Sequence, residues 1–239
     1  WNALFWAALL HDWGKAAAGF QARLRTGAAW RHRHEVLSLA FLDWVASALP
    51  GPESLAAAAA IASHHRDPEE LRRDYPLDLP PEDDPLAELL GELDEETARG
   101  LWRWLAEVVP GWIVALGFDA LGVRPAVPPP AEVAVRELRQ RGREAMAGWL
   151  RRYQRLVRAV REGGEAALAA FPCLFLRGGL LQADHAGSAG LEALPPPDLS
   201  AEGVLAAARL DAALLHDHQR AAARTVGSAV LTAPTGSGK

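Results

Sequence analysis

The residues best suited to chemistry are histidines and aspartates that stand where apolar helical runs end. His11-Asp12-Trp13-Gly14-Lys15 follows the stretch Ala3 to Leu10. An adjacent histidine and aspartate offer an imidazole nitrogen and a carboxylate oxygen to one divalent metal. The second carboxylate oxygen can bridge to another ion, the arrangement that two-metal phosphodiester chemistry uses. Gly14 is expected to let the chain turn sharply, and Lys15 to place a cation where it can neutralise a phosphate. His32 and His34 flank Arg33, with Glu35 next, and His64-His65 close the alanine-rich stretch 54–65. Alone, each of these pairs reads as a helix-terminus cation. Beside His11 and Asp12 they read as ligands, because five of the eight histidines fall in the first 65 residues next to apolar helical runs. A carboxylate must close such a site. Asp184 is the candidate, since an acid late on an apolar helix is costly to bury unless paired or metal-bound. His185, one step round that helix, is expected to face outward.

Helices must position these groups. Ala, Leu, Arg and Glu dominate, with apolar spacing of three and four. The pattern predicts helices over 2–12, 15–25, 34–49, 53–65, 86–92, 94–109, 131–161, 164–170, 173–188 and 201–210. Proline clusters at Pro50 to Pro52, Pro76 to Pro85, Pro125 to Pro130 and Pro195 to Pro197 punctuate them. The expected fold is all-α, with a short α/β start of a second domain at the C-terminus. There the apolar run Ala229 to Leu231 reads as one strand entering the loop Ala233-Pro234-Thr235-Gly236-Ser237-Gly238-Lys239. That loop matches the first seven residues of the phosphate-loop pattern, whose backbone amides cradle phosphates while the lysine reaches the terminal ones. The expected organisation is a helical domain over 1–195, a linker over 196–215 and the start of a second domain over 216–239. Both ends read as cut, so the 239 residues are expected to be a fragment.

Composition narrows the class. Half the residues are apolar and 23% charged, so the chain can bury a sizeable core. One cysteine, Cys173, cannot form an internal disulfide; beside Pro172 and between apolar neighbours it reads as core. No export signal or spanning run appears, which fits a soluble cytoplasmic protein with no membrane partner. Net charge is −5 but segregated. Eight acids lie between Glu82 and Glu96 without one basic residue, and nine arginines lie between Arg136 and Arg161. The acidic segment reads as a solvated insertion. The arginine helix can meet DNA phosphates or a partner, while Trp149 and Tyr153, spaced by four, read as packing before base stacking.

These motifs resemble the HD-superfamily nuclease domain of the type I CRISPR-associated helicase-nuclease, over about residues 3–188 and on into the helicase start. The resemblance rests on His11-Asp12-Trp13-Gly14-Lys15 followed by Phe20-Gln21, on Arg33-His34-Glu35 with Ser38, on His64-His65, and on Ala183, Asp184 and Ser188. It implies an HD-superfamily helical bundle. It also implies that His11, Asp12 and Asp184 hold one metal and His34, His64 and His65 a second, with Asp12 shared and Lys15 beside the scissile phosphate. The family's first metal-binding histidine lies some dozens of residues upstream, which leaves the first site one ligand short in this chain. Gln219 is placed like the adenine-reading glutamine of superfamily 2 helicases. Gln219, Thr235, Gly236, Ser237, Gly238 and Lys239 would then bind ATP, with magnesium, in the full-length protein only.

Imidazole-rich ligation favours manganese, iron, cobalt or nickel over magnesium or calcium. The expected chemistry is hydrolysis of single-stranded DNA by water that the metals activate, after recruitment by an RNA-guided effector complex of the Cascade kind. Two rivals stand beside it: a nucleotide phosphohydrolase on the same scaffold, and an inactive docking module whose histidines bind no metal.

Overall fold

The computed structural model describes residues 1–80, 83–165, 168, 170–191 and 216–223. Two units form, Trp1–Gly190 and Leu191–Lys239. The described part of the first is helical, and no strand occurs among the described residues.

Its helices are α1 (Asn2–Leu10), α2 (Ala18–Thr26), α3 (His34–Ser38), α4 (Pro52–Ser63), α5 (Pro68–Asp74), α6 (Pro85–Gly91), α7 (Glu95–Arg103), α8 (Val109–Ala115), α9 (Ala131–Glu162) and α10 (Phe171–Ser188). In the second unit α11 covers Asp217–Ala223.

The bundle is organised around α4. Ala56 through Ala62 are buried there, and α1, α3, α9 and α10 all pack against this helix. Alanine favours the helical backbone and its single methyl lets neighbouring helices approach closely on every side. Larger side chains fill the layer around it. Trp6, Leu10 and Phe41 are fully buried, each burial contributing about 1.5–3 kcal/mol. The 32-residue α9 buries Val135, Leu138, Gly142, Met146, Trp149, Leu150 and Tyr153 at helical spacing and spans the bundle. Trp149 and Tyr153 therefore belong to the packing, and the guanidinium of Arg152 lies 4.6 Å over the Trp149 ring. Cys173 is half-buried at the edge of the core, with its thiol pKa pushed up by burial.

Several expectations need correction. The predicted helix 34–49 is a short α3 followed by a tighter 3₁₀ segment, Leu39–Val45. In that segment Phe41 and Trp44 pack edge-on to Trp13, with ring centroids 5.3 and 6.2 Å away. The helix expected to stop at 109 runs instead from α7 through a π-turn, Trp104–Val108, into α8. Pro110 sits in the first turn of α8, where its missing N–H costs nothing. Helix α5 was not expected, although its start carries a capping box from Asp67 and Glu70 with Pro68 between them.

The acidic segment is solvated only in part: most of its described acids are exposed, but several are engaged with other elements. Asp84 caps α6, accepting from the Leu86 N–H at 2.9 Å, and pairs with Arg143 at 2.5 Å. Glu92 Oε2 accepts from Trp30 Nε1 and the Gly19 N–H at 2.8 and 3.0 Å, and Glu95 pairs with Arg139 at 2.8 Å. The acids thus tie α6 and α7 to α2 and to the arginine helix, which neutralises part of both charge runs. The strand expected at 229–231 and the helix at 201–210 lie outside the described residues, and the helix at 164–170 lies partly outside them.

Candidate metal centre

Three helix ends and one helix face meet at the centre. Helix α1 ends at His11 and α4 ends at His64, each histidine being the residue that follows the last helical turn. Both use the same device. His11 Nδ1 donates to the Ala8 carbonyl and His64 Nδ1 to the Ile61 carbonyl, each at 2.7 Å and three residues back. A carbonyl oxygen can only accept, so the proton sits on Nδ1 and the Nε2 lone pair points away from the helix. The sequence pattern put both histidines at helix termini. They serve there as caps bonded through Nδ1, with the second nitrogen turned into the site, not as solvated cations.

Trp13 anchors the turn after α1. It is buried among Phe41, Trp44 and Trp104, which fixes the loop carrying His11 and Asp12 in the core. Gly14 then passes directly over α3. A Cβ at Gly14 would lie 1.9 Å from the His34 carbonyl oxygen. The glycine is required by this close approach, not by a left-handed turn, since its φ is not positive. Ser38 closes the same contact, accepting from the Gly14 N–H at 2.9 Å and donating to the His11 carbonyl at 2.8 Å. Helix α3 is set in turn by Tyr75, whose phenol oxygen accepts from the Arg33 N–H at 2.7 Å. Arg177 on α10 donates to the Ser63 carbonyl at 2.8 Å, just before His64. It lies two helical turns before Asp184, on the same side of α10.

Asp12 stands in the middle. Its Oδ1 lies 3.2 Å from His34 Nε2, and its Oδ2 lies 3.3 Å from His11 Nε2 and 2.6 Å from Lys15 Nζ. One carboxylate thus faces two histidines with different oxygens. His11 Nε2 is also 3.7 Å from Asp184 Oδ1. Ligand atoms of His34, His64 and His65 fall within 4.8 Å of one another, and so do those of His11, Asp12 and His64. His64, only 3% exposed, is common to both groups, and His65 opens to solvent. All seven residues expected at the site, Lys15 and Asp184 included, are therefore in one place. His185 is exposed, as expected. His32 lies elsewhere, 3.8 Å from Glu88 and Glu92.

The electrostatics are those of a site built for cations. Burial alone would raise the Asp12 carboxyl pKa, but His11, His34 and Lys15 outweigh it and hold it far below the usual range. Burial opposes a charge on His11, yet Asp12, the Ala8 carbonyl and Asp184 push its pKa up. His64 is pushed down to about 3, first by burial and then by the neighbouring His65, His11 and His34. His65 is lowered as well, chiefly by burial.

The donor set fits a metal. Among the described residues, His11 Nε2, Asp12 Oδ1, His34 Nε2 and His64 Nε2 are buried side-chain atoms with no hydrogen-bond partner. Lone pairs left bare and aimed at one another are costly unless a cation lies between them. Imidazole nitrogens gathered around a carboxylate form a donor set that suits a divalent metal. Sequence reasoning did not assign Trp13, Arg177 or the clamp between Gly14 and Ser38. The i,i+7 spacing of Arg177 and Asp184 was a legible signal; the clamp was not.

Gln219, in the second unit, accepts from the His216 N–H with its side-chain oxygen at 2.9 Å, which caps α11. Thr235, Gly236, Ser237, Gly238 and Lys239 lie outside the described residues. No described helix is long and apolar enough to cross a membrane.

Among curated proteins and among solved structures, none matches the chain. The family model described as "Cas3, HD domain" matches residues 2–176, a span that holds His11, Asp12, Lys15, His34, His64 and His65 and ends before Asp184. With that match over most of its length and a histidine–aspartate centre inside it, the chain belongs to the Cas3 HD-domain family, the HD nuclease domains of type I CRISPR systems.

Proposed function

We propose that this chain is a metal-dependent nuclease that cleaves single-stranded DNA in type I CRISPR interference. The observation that carries the reading is the convergence of two unpartnered imidazole nitrogens, of His11 and His34, on the two oxygens of Asp12, with a ligand atom of His64 within 4.8 Å of those of His11 and Asp12. In this reading His11, Asp12 and Asp184 hold one divalent ion, and His34, His64 and His65 hold a second. Asp12 would be shared between the two. His64 lies within reach of both groups, so it also sets the spacing between them. Manganese, iron, cobalt and nickel suit the donors better than magnesium or calcium. When bound, such ions supply Lewis acidity and activate water for attack on phosphorus.

The chain's own residues do the rest. Lys15 sits at the solvent side of Asp12, half-exposed and 2.6 Å from its Oδ2, where its ammonium can transfer to an incoming phosphate oxygen. The Nδ1 bonds of His11 and His64 hold two imidazoles in the ligating tautomer before any substrate arrives. Trp13 and the Gly14–Ser38 contact keep the His11–Asp12 turn in register with α3. No serine or cysteine nucleophile is needed. By the same reading Gln219 and residues 235–239 belong to a helicase domain that would bind ATP with magnesium and feed the strand to this centre once an RNA-guided effector complex has recruited it.

The test compares long circular single-stranded DNA with mononucleotides as substrates, with manganese, cobalt, nickel or iron added in turn, beside Asp12→Ala. Metal-dependent cutting of the long strand that Asp12→Ala abolishes is the expected result. Turnover of mononucleotides alone would replace the proposal with a phosphohydrolase, and a protein that takes up no metal would replace it with a docking module.

A further inference from the structure

Glu35 is the one buried acid at the centre without an assignment. It is completely buried on α3, and neither carboxylate oxygen has a hydrogen-bond partner among the described residues. Its Oε2 lies 3.4 Å from Nδ1 of His34, on the side of the ring opposite the Nε2 that faces Asp12. Its atoms do not join either group of converging ligands. An unpaired buried carboxylate is a liability to the fold, so its place calls for a partner that gains from it.

The other two inward histidines show what that partner needs. His11 and His64 each have Nδ1 bound to a backbone carbonyl, which leaves Nε2 as the free nitrogen. His34 opens α3, and among the described residues Nδ1 has no such carbonyl; the acceptor it faces is Glu35. Ligating histidines commonly donate their second nitrogen to a carboxylate or carbonyl, which fixes the tautomer and strengthens the ligand. At 3.4 Å the contact is longer than a formed hydrogen bond, and such contacts tighten when the site is filled.

Resting on the metal-dependent reading above, we infer that Glu35 is the positioning residue for His34: its carboxylate accepts a hydrogen bond from His34 Nδ1–H and so holds Nε2 as the lone-pair donor. It acts through His34 and touches neither ion nor substrate.

The test uses the whole chain and cobalt(II) as the probe, followed by visible absorption, with Glu35→Gln and Glu35→Leu beside the parent. Nitrogen-15 spectra of the metal-free proteins report the His34 tautomer independently of cobalt. The parent is expected to carry the proton on Nδ1. Glu35→Leu is expected to lose that preference and weaken cobalt binding by ~10–100-fold. Glu35→Gln keeps an acceptor and should hold the tautomer, with a smaller loss of affinity. Unfolding temperatures of the metal-free variants are measured alongside, so that a loss of cobalt affinity is told apart from a loss of fold. A merely structural glutamate would give a lower unfolding temperature with unchanged cobalt affinity. A His34 proton on Nε2 in the parent, or cobalt affinity unchanged in both variants, would overturn the inference. If the parent binds no cobalt, the metal-dependent reading fails first, and the tautomer still reports on Glu35.

Discussion

Replacing Gly14 with alanine places a methyl carbon 1.9 Å from the carbonyl oxygen of His34, 2.7 Å from its carbonyl carbon and 2.9 Å from its Cα. All three are backbone atoms, so no side chain can swing aside. To restore an ordinary contact the two segments must part by about 1.5 Å. That movement has two consequences in this structure. It breaks the 2.9 Å bond from Gly14 N–H to Ser38 Oγ, and it pulls His34 Nε2 away from Asp12 Oδ1, now 3.2 Å apart. Overpacking costs about 1–3 kcal/mol, and a stranded buried amide about 1–3 kcal/mol more. A domain of ordinary stability survives that with a lower melting temperature. The metal centre does not, because ligands displaced by more than an ångström cannot share an ion with bonds of about 2 Å. Cobalt titration of Gly14→Ala is expected to show at least ~100-fold weaker binding, alongside a lowered melting temperature. Gly142→Ala is the control. Its Cβ meets side-chain methyls alone, those of Leu90 at 3.0 and 3.3 Å and of Leu138 at 3.3 Å, which can rotate away, so cobalt binding should remain at the parental level. Parental cobalt affinity in Gly14→Ala would refute the geometric argument for this glycine.

Three further outcomes follow from the same geometry. Ser38→Ala strands the Gly14 amide and loses the bond to the His11 carbonyl, so urea denaturation should show a loss of about 1–3 kcal/mol. Lys15→Ala removes a cation that competes for Asp12 Oδ2; manganese should bind as tightly as in the parent or more so, while DNA cleavage falls by ~100-fold or more. Metal-free stability should fall as pH drops from 6.5 toward 3. His64 in the folded chain is pushed down to about 3 from an ordinary 6.5, so the unfolded chain binds more protons across that window. The expected slope is about 1.4 kcal/mol per pH unit from this residue. His11, whose pKa is raised, takes up its proton at higher pH and does not oppose the slope. Urea midpoints at several pH values check the slope, and a slope in His64→Gln as steep as the parent's would count against the assignment.

Much of the centre was legible because its residues sit where a local pattern breaks. His11-Asp12 and His64-His65 each follow an apolar helix, and Asp184 interrupts one. A charge or imidazole in such a position needs a reason, and proximity in the fold supplies it. The helical class was legible from spacing alone, and α9 runs within a residue of its expected bounds. What local pattern could not carry is anything decided by which helices touch. His64 reaches both ligand groups because α4 is central, which depends on the packing of four other helices. Gly14 reads as a turn residue in isolation, and only the passage over α3 reveals the contact that requires it. Several acids of 82–96 look solvated until α9 and Trp30 are placed beside them. In each case the missing information is long-range.

The most direct test is a crystal of the chain grown with cobalt or manganese and measured at that metal's absorption edge. The account expects anomalous density inside the ring formed by His11, Asp12, His34, His64, His65 and Asp184, bonded to the Nε2 atoms and to Asp12. Density absent there, or found only at surface carboxylates while those imidazoles stay bare, would contradict it.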